Sequence, residues 1–159
     1  MAVRRLAPSF TVGAMCVIER DDGRVLLIRH LYRQRWGVPG GLLQRRESST
    51  DAARREVREE VGLDVELIGE PIVNVDAEPR RVDIVYYARL IDDRQADKVK
   101  PSSVEVLEAR WFAPDELPEL QFETAQAMQL LSQASREAPS LRVPPARASA
   151  LAGRDDAAS

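Results

Sequence analysis

The chain has 159 residues, 44% of them hydrophobic, with 23 basic and 26 acidic side chains and a net charge of -3. That is enough for one domain with its own core and too little for two ordinary ones. The near-balanced charge, without a basic stripe interleaved with aromatics, argues against duplex or single-strand nucleic acid as a partner. No apolar run reaches membrane-spanning length.

Residues 10–18 read as a buried strand, Asp21-Asp22-Gly23 as a hairpin turn, and Val25–His30 as the partner strand. Cys16, the only cysteine, lies in the first of these apolar runs and has no internal disulfide partner, so a buried inert thiol in a reducing cytoplasm is expected. Arg4 and Arg5 precede a part-apolar stretch that loosely imitates a signal peptide, but Pro8, Ser9 and Thr11 interrupt it. Residues 31–35 form a polar loop that delivers Trp36 and the rigid Pro39-Gly40-Gly41 turn, where backbone without side chains lets a phosphate or metal approach closely.

Ser48 opens a helix as its N-cap, with Asp51 three residues on to complete a capping box, and Gly62 supplies the left-handed stop. Between those signals lie about 13 residues, roughly 20 Å of helix at 1.5 Å per residue. After it, residues 65–68 and 72–76 read as strands, 77–80 as a turn and 82–90 as a strong strand. Residues 92–103 are charged and aperiodic, an exposed loop; 108–112 resume a strand, and 120–136 fit a closing helix. From Ala138 the composition shifts to Ala, Pro, Arg and Ser without a periodic apolar face. The expected organisation is a domain over 1–137 and a disordered tail over 138–159. Strands mixed with one mid-chain and one terminal helix predict an α/β fold with a mixed sheet packed between helices.

The chemistry concentrates on the mid-chain helix. At 100° per residue Ala53, Val57 and Val61 make a narrow apolar seam, Glu56, Glu59 and Glu60 lie beside it, and Arg54 and Arg58 fall on the far side. Acids near a helix C-terminus oppose the macrodipole, and like charges three or four residues apart repel by roughly 0.2–0.5 kcal/mol per pair. A hard divalent cation reverses both effects, and an oxygen-only donor set favours Mg2+ or Mn2+ over zinc. A solvated acidic face, with Arg55 pairing to Glu59, is the alternative for the cluster taken alone.

Gly41, five residues, Glu47, seven residues, then Arg55-Glu56-Val57-Arg58-Glu59-Glu60-Val61-Gly62-Leu63 resembles the Nudix box at every fixed position. The approach Trp36-Gly37-Val38-Pro39-Gly40 is similar to the family's usual lead-in. Arg46 departs from it, standing where many members carry glycine. The resemblance implies a Nudix-type α/β/α sandwich and metal-dependent hydrolysis of a diphosphate bond in a small nucleotide-type substrate. It implies Glu56, Glu59 and Glu60 as metal-binding glutamates joined by the Gly40 backbone carbonyl, with Glu47 and Arg55 tying the loop at Gly41 to the helix by an ion pair. Family members often add a carboxylate before the last central strand. Glu105 is at the matching place as metal ligand or general base, acting with Glu56 and Glu59 in catalysis, and Glu108 is the runner-up.

For substrate contacts, Arg29 and Arg33 offer forks for phosphate and Trp36 a flat face for a base. His30, the single histidine, reads as an ordinary polar residue. Pro79 lies near where ADP-ribose-cleaving members often have proline, and no tyrosine occupies that neighbourhood, which disfavours dinucleoside polyphosphates. The expected substrate is ADP-ribose or a nucleotide sugar, with nucleoside triphosphate sanitising second. A non-catalytic nucleotide sensor or an allylic diphosphate isomerase are readings of other kinds. A homodimer is left open.

Overall fold

The structure, a computed structural model, describes residues 8–137; the expected tail over 138–159 lies outside the described residues, as do Arg4 and Arg5. Six strands and two α-helices follow in the order β1 (Thr11–Glu19), β2 (Val25–His30), β3 (Gly40–Leu42), α1 (Ser49–Val61), β4 (Val65–Asp76), β5 (Arg81–Leu90), β6 (Val106–Phe112) and α2 (Phe122–Glu137). The sheet runs β4-β5-β1-β2-β6, with β3 added to β1. β1 and β5 are parallel, from Thr11 beside Arg81 to Glu19 beside Arg89, and the other pairs are antiparallel. The sheet is mixed, as its sequence pattern predicts.

Both faces of the central strands are covered, which is why they read as continuous apolar runs. Alternation sends Ala14, Cys16 and Ile18 of β1, Leu26 and Ile28 of β2, and Tyr86 and Ala88 of β5 to one face, where Ala52, Ala53, Val57 and Val61 of α1 cover them. Met15, Val17, Val25, Leu27, Val85 and Tyr87 point the other way, against Ala127, Met128 and Leu131 of α2. Val57 and Val61 have no exposed surface, and burying each stabilises the layer by about 1.5–3 kcal/mol. Cys16 is buried in this layer with its thiol toward the Ala53 carbonyl, and burial pushes its pKa up to about 12, an inert thiol.

Four expectations need correction. The hairpin of β1 and β2 pairs only at its turn, Glu19 with Val25. Beyond that, the Trp36–Gly41 backbone wedges in: the Cys16 N–H donates to the Pro39 carbonyl (2.9 Å), and Ile28 and Gly37 exchange two bonds of 2.8 Å. β3 takes the edge of β1 that a hairpin partner would have used, pairing Ala14 with Gly41 and Met15 with Gly40, while β2 turns to β6. The wedge splays the two strands.

The two expected strands after α1 are one strand, β4, with a register shift between Ile68 and Ile72 and Gly69 at φ 70°. The expected loop over 92–103 contains a 3-10 helix, Asp93–Lys98, capped by the Asp92 side chain and anchored by buried Ala96. The Ala96 carbonyl accepts from the Trp111 indole at 2.9 Å. A single small apolar residue leaves no periodicity to read. At the start of α1 the Ser48 hydroxyl oxygen accepts the Asp51 N–H (3.1 Å), but the Ser48 O–H donates to the Asp51 carboxylate (2.7 Å), so the reciprocal half of the expected capping box is replaced. Gly62 ends the helix at φ 70° as expected.

Among the described residues no helix is long and apolar enough to cross a membrane.

Candidate active site

α1 brings its acids to the splayed strands because Val57 and Val61 lock the helix onto the sheet. Glu60, on the turn beside that seam, is only 6% exposed. Its Oε2 accepts the Gly40 N–H at 2.9 Å, and its Oε1 faces His30 Nε2 at 3.1 Å. Gly40 thus reaches Glu60 through its N–H.

Glu56, one turn back, lies under Gly41. Burial pushes its carboxyl up, Arg55 opposes that, and the charges of Glu60 and Glu59 add to the rise. A Cβ on Gly41 would overlap the Glu56 carboxylate, and one on Gly40 would lie 2.5 Å from the Ala14 carbonyl oxygen and 2.9 Å from Met15 Cα. Glycine at both positions lets the turn close over the helix.

Arg55 is the tie between loop and helix. Its Nε and Nη2 donate to the two oxygens of Glu47 (2.7 and 3.1 Å), Nη2 also reaches the Leu42 carbonyl (3.1 Å), and Nη1 donates to Glu56 (2.7 Å) and Glu59 (3.1 Å). The Arg55 hydrogen bonds, with one from the Gln44 N–H, hold the Glu47 carboxyl below its ordinary range. A group lowered on folding stabilises above its unfolded pKa and loses that contribution as pH falls through the folded one. Glu47→Gln is therefore expected to lower the melting temperature near neutral pH, with the difference from wild type shrinking on acidification. An unchanged melting temperature would show that the pair does not brace the loop.

Arg46, beside Glu47, has φ 64°, the left-handed conformation that glycine adopts freely. The strain of a side chain there is roughly 1–2 kcal/mol. Arg46→Gly is accordingly expected to stabilise the fold by about 1 kcal/mol in denaturant unfolding; a loss of stability would mean that the Arg46 side chain makes a compensating contact.

Glu56 and Glu60 line a cleft of about 380 Å³ together with Glu105, Gly40, Gly41, Leu42, Met15, Val38, His30, Tyr32, Arg33, Arg81, Gln121 and Glu123. Of the sequence-derived residues the structure therefore gathers Glu56, Glu60, Glu105, Gly40, Gly41 and Arg33 around one space. Glu59 is outside it, its side chain 55% exposed and held by Arg55. Glu108 is also outside: it is the cross-strand partner of Arg29, is ion-paired to Arg29 and Arg110, and its carboxyl is held low by Arg29 first and Arg110 next. That pairing draws Arg29 away from the cleft. Trp36 packs edge-on against Phe112, with ring centroids 4.9 Å apart, and the Arg29 and Arg110 guanidinium groups lie 6.0 and 5.8 Å from its ring. Neither Arg29 nor Trp36 lines the cleft.

Among the described residues no three His, Cys, Asp or Glu side chains are already gathered closely enough to hold a metal ion. The donor chemistry nonetheless fits a hard divalent cation. Two neighbouring carboxylates, Glu60 buried and Glu56 half-buried, share a cleft wall with a third, Glu105, and the donors are oxygens.

His30, Tyr32, Arg81, Gln121 and Glu123 are cleft residues that sequence reasoning did not select. His30 and Tyr32 stack, with centroids 5.5 Å apart and planes at 25°. Arg81 arrives through the parallel pairing of β5 with β1, Glu123 through the first turn of α2 and Gln121 through the residue just before it, contacts to which no local pattern points.

Comparison with known proteins agrees with this geometry. The NUDIX domain family model matches residues 9–132. A MutT-like protein of Streptomyces ambofaciens is 31% identical over 112 residues, 70% of each chain. Among solved structures, a NUDIX hydrolase from Nitrosomonas europaea superposes with TM-score 0.69 at 25% identity, covering 82% of this chain and 74% of that one. An ADP-ribose pyrophosphatase from Streptococcus suis does so with TM-score 0.62 at 27% identity, covering 77% and 87%. The chain belongs to the NUDIX domain family and is a hydrolase of pyrophosphate bonds.

Proposed function

We propose that the protein hydrolyses the diphosphate of a nucleoside diphosphate joined to a second moiety, ADP-ribose or a nucleotide sugar, with Mg2+ or Mn2+. The observation that carries this reading is the composition of the cleft. One wall is acidic (Glu56, Glu60, Glu105), and the space continues past it to an aromatic ring, two guanidinium groups and the hydrogen-bonding side chain of Gln121. A sugar's hydroxyls match such donors and acceptors, and Tyr32 offers a flat face to a base. The likeness to the Streptococcus suis ADP-ribose pyrophosphatase supports the same substrate class. The likeness to a putative 8-oxo-dGTP diphosphatase of Bacillus subtilis, 25% identical over 109 residues, favours the second reading, nucleoside triphosphate pyrophosphohydrolysis.

In this reading Glu56, Glu59 and Glu60, with the Gly40 backbone carbonyl, would hold the divalent cation. When bound, it neutralises diphosphate charge and acidifies the attacking water. The Gly40 N–H keeps the Glu60 carboxylate oriented; Glu47, through Arg55, holds the Gly41 loop against the helix; and Arg33 meets phosphate. Glu105, exposed and, among the described residues, without an ion pair such as Arg29 gives Glu108, serves as the general base or an added ligand.

Glu105→Gln is expected to lower turnover by about 10²-fold, the usual contribution of a general base, and Glu108→Gln to leave it within a few-fold. The reverse pattern would assign the role to Glu108. Substrate class is tested by magnesium-dependent turnover of ADP-ribose, nucleotide sugars and nucleoside triphosphates with products identified: a monophosphate plus a sugar phosphate supports the proposal, and pyrophosphate release from triphosphates alone selects the second reading.

A further inference from the structure

Two cationic side chains line the cleft, Arg33 and Arg81, and each has an internal carboxylate partner. The two pairs differ in how firmly they are held. Arg81 Nε donates to both oxygens of Asp83, at 2.7 and 2.9 Å, and the Asp83 side chain is 5% exposed. A phosphate that drew Arg81 away would strand a buried charge. Arg33 instead reaches Glu123 with one nitrogen, Nη1, at 2.8 Å, and that nitrogen also donates to Gln121 Oε1 at 3.2 Å; the two ion-paired side chains are 41% and 26% exposed. Parting them leaves both charges in reach of water.

The segments around the second pair are tied to each other by hydrogen bonds. The Gln121 N–H donates to the Trp36 carbonyl at 2.7 Å, its Nε2 to the Arg35 carbonyl at 3.1 Å, and the Trp36 N–H to the Glu119 carbonyl at 3.0 Å. The loop carrying Arg33 is thereby stitched to the start of α2, so Arg33 can exchange its partner by side-chain rotation alone.

We propose that Glu123 is a resident counter-ion that occupies Arg33 in the empty cleft and is displaced from it by a substrate phosphate, which makes Glu123 a positioning residue that sets substrate affinity. This rests on the reading of the cleft as the diphosphate site. A diphosphate carries more charge than one carboxylate and accepts from both arms of the guanidinium, so it wins the competition while losing part of its gross binding energy to it. Removing the competitor tightens binding only if Arg33 is present to be freed.

The test is calorimetric titration of the full chain with α,β-methylene-ADP, a non-cleavable diphosphate, at fixed magnesium. Glu123→Gln is expected to bind about 3- to 5-fold tighter than wild type, the scale of a partly exposed ion pair. Arg33→Gln is expected to bind about 5- to 10-fold weaker, and adding Glu123→Gln to Arg33→Gln to change binding less than about 2-fold. Turnover of Glu123→Gln on the enzyme's substrate is expected to show a lower KM with little change in kcat. Equal or weaker binding by Glu123→Gln, or the same tightening in the Arg33→Gln background, overturns the proposal; the latter would show only that a negative charge had been removed. Wild type that binds the diphosphate and is unaffected by Glu123→Gln sinks the counter-ion role alone, whereas no binding by any variant overturns the reading of the cleft as well.

Discussion

Glu60→Gln is expected to abolish magnesium-dependent turnover, by about 10²-fold or more, without lowering the melting temperature. The wild-type carboxylate is buried beside Glu56, whose charged form its negative charge disfavours. Glutamine has the same shape, keeps an oxygen for the Gly40 N–H, and presents no charge to Glu56. Neutralising the site therefore leaves the fold as stable as before or slightly more so. Groups kept at a cost to stability belong to function. If activity and melting temperature fell together, Glu60 would be a structural acid held by Gly40 and His30, and the metal role would pass to other residues.

The adjacent glycines are expected to fail in different ways. At Gly41 an added methyl meets the far end of a side chain, the Glu56 carboxylate, which can swing aside. Gly41→Ala should therefore fold and lose activity by about 10²-fold, the effect of misplacing a catalytic group by about an ångström. At Gly40 the methyl meets backbone, the Ala14 carbonyl and Met15 Cα of β1, and neither can move without breaking the pairing of β3 with β1. Gly40→Ala should lose about 1–3 kcal/mol or more of stability, the scale of overpacking, as read by denaturant unfolding. Equal stability of the two variants would contradict the assigned contacts.

What could be read in the sequence was local. Ser48 and Gly62 marked α1 because capping depends on residues next to the helix end. The motif from Gly41 to Leu63 located Glu56, Glu60 and the Glu47–Arg55 tie because spacing on a helix fixes which side chains share a face. What could not be read depends on competition between distant segments. The hairpin of β1 and β2 is a sound local pattern, but β3 and the Pro39 carbonyl take the edge of β1 first. Arg29 carries the right chemistry for phosphate, but Glu108 stands opposite it on β6. Trp36 has the right ring for a base, but Phe112 occupies its edge. Conversely Glu123 and Arg81 enter the cleft from α2 and β5, and only the assembled sheet shows that they meet Arg33 there.

The most direct measurement is the hydrolysis of ADP-ribose with magnesium in ¹⁸O-labelled water, with products resolved by mass spectrometry. Water attack on phosphorus predicts AMP and ribose 5-phosphate, with one labelled oxygen in the phosphate of one product. Intact ADP-ribose bound tightly without cleavage, or conversion to an isomer carrying no label, would contradict a hydrolytic site acting on this substrate.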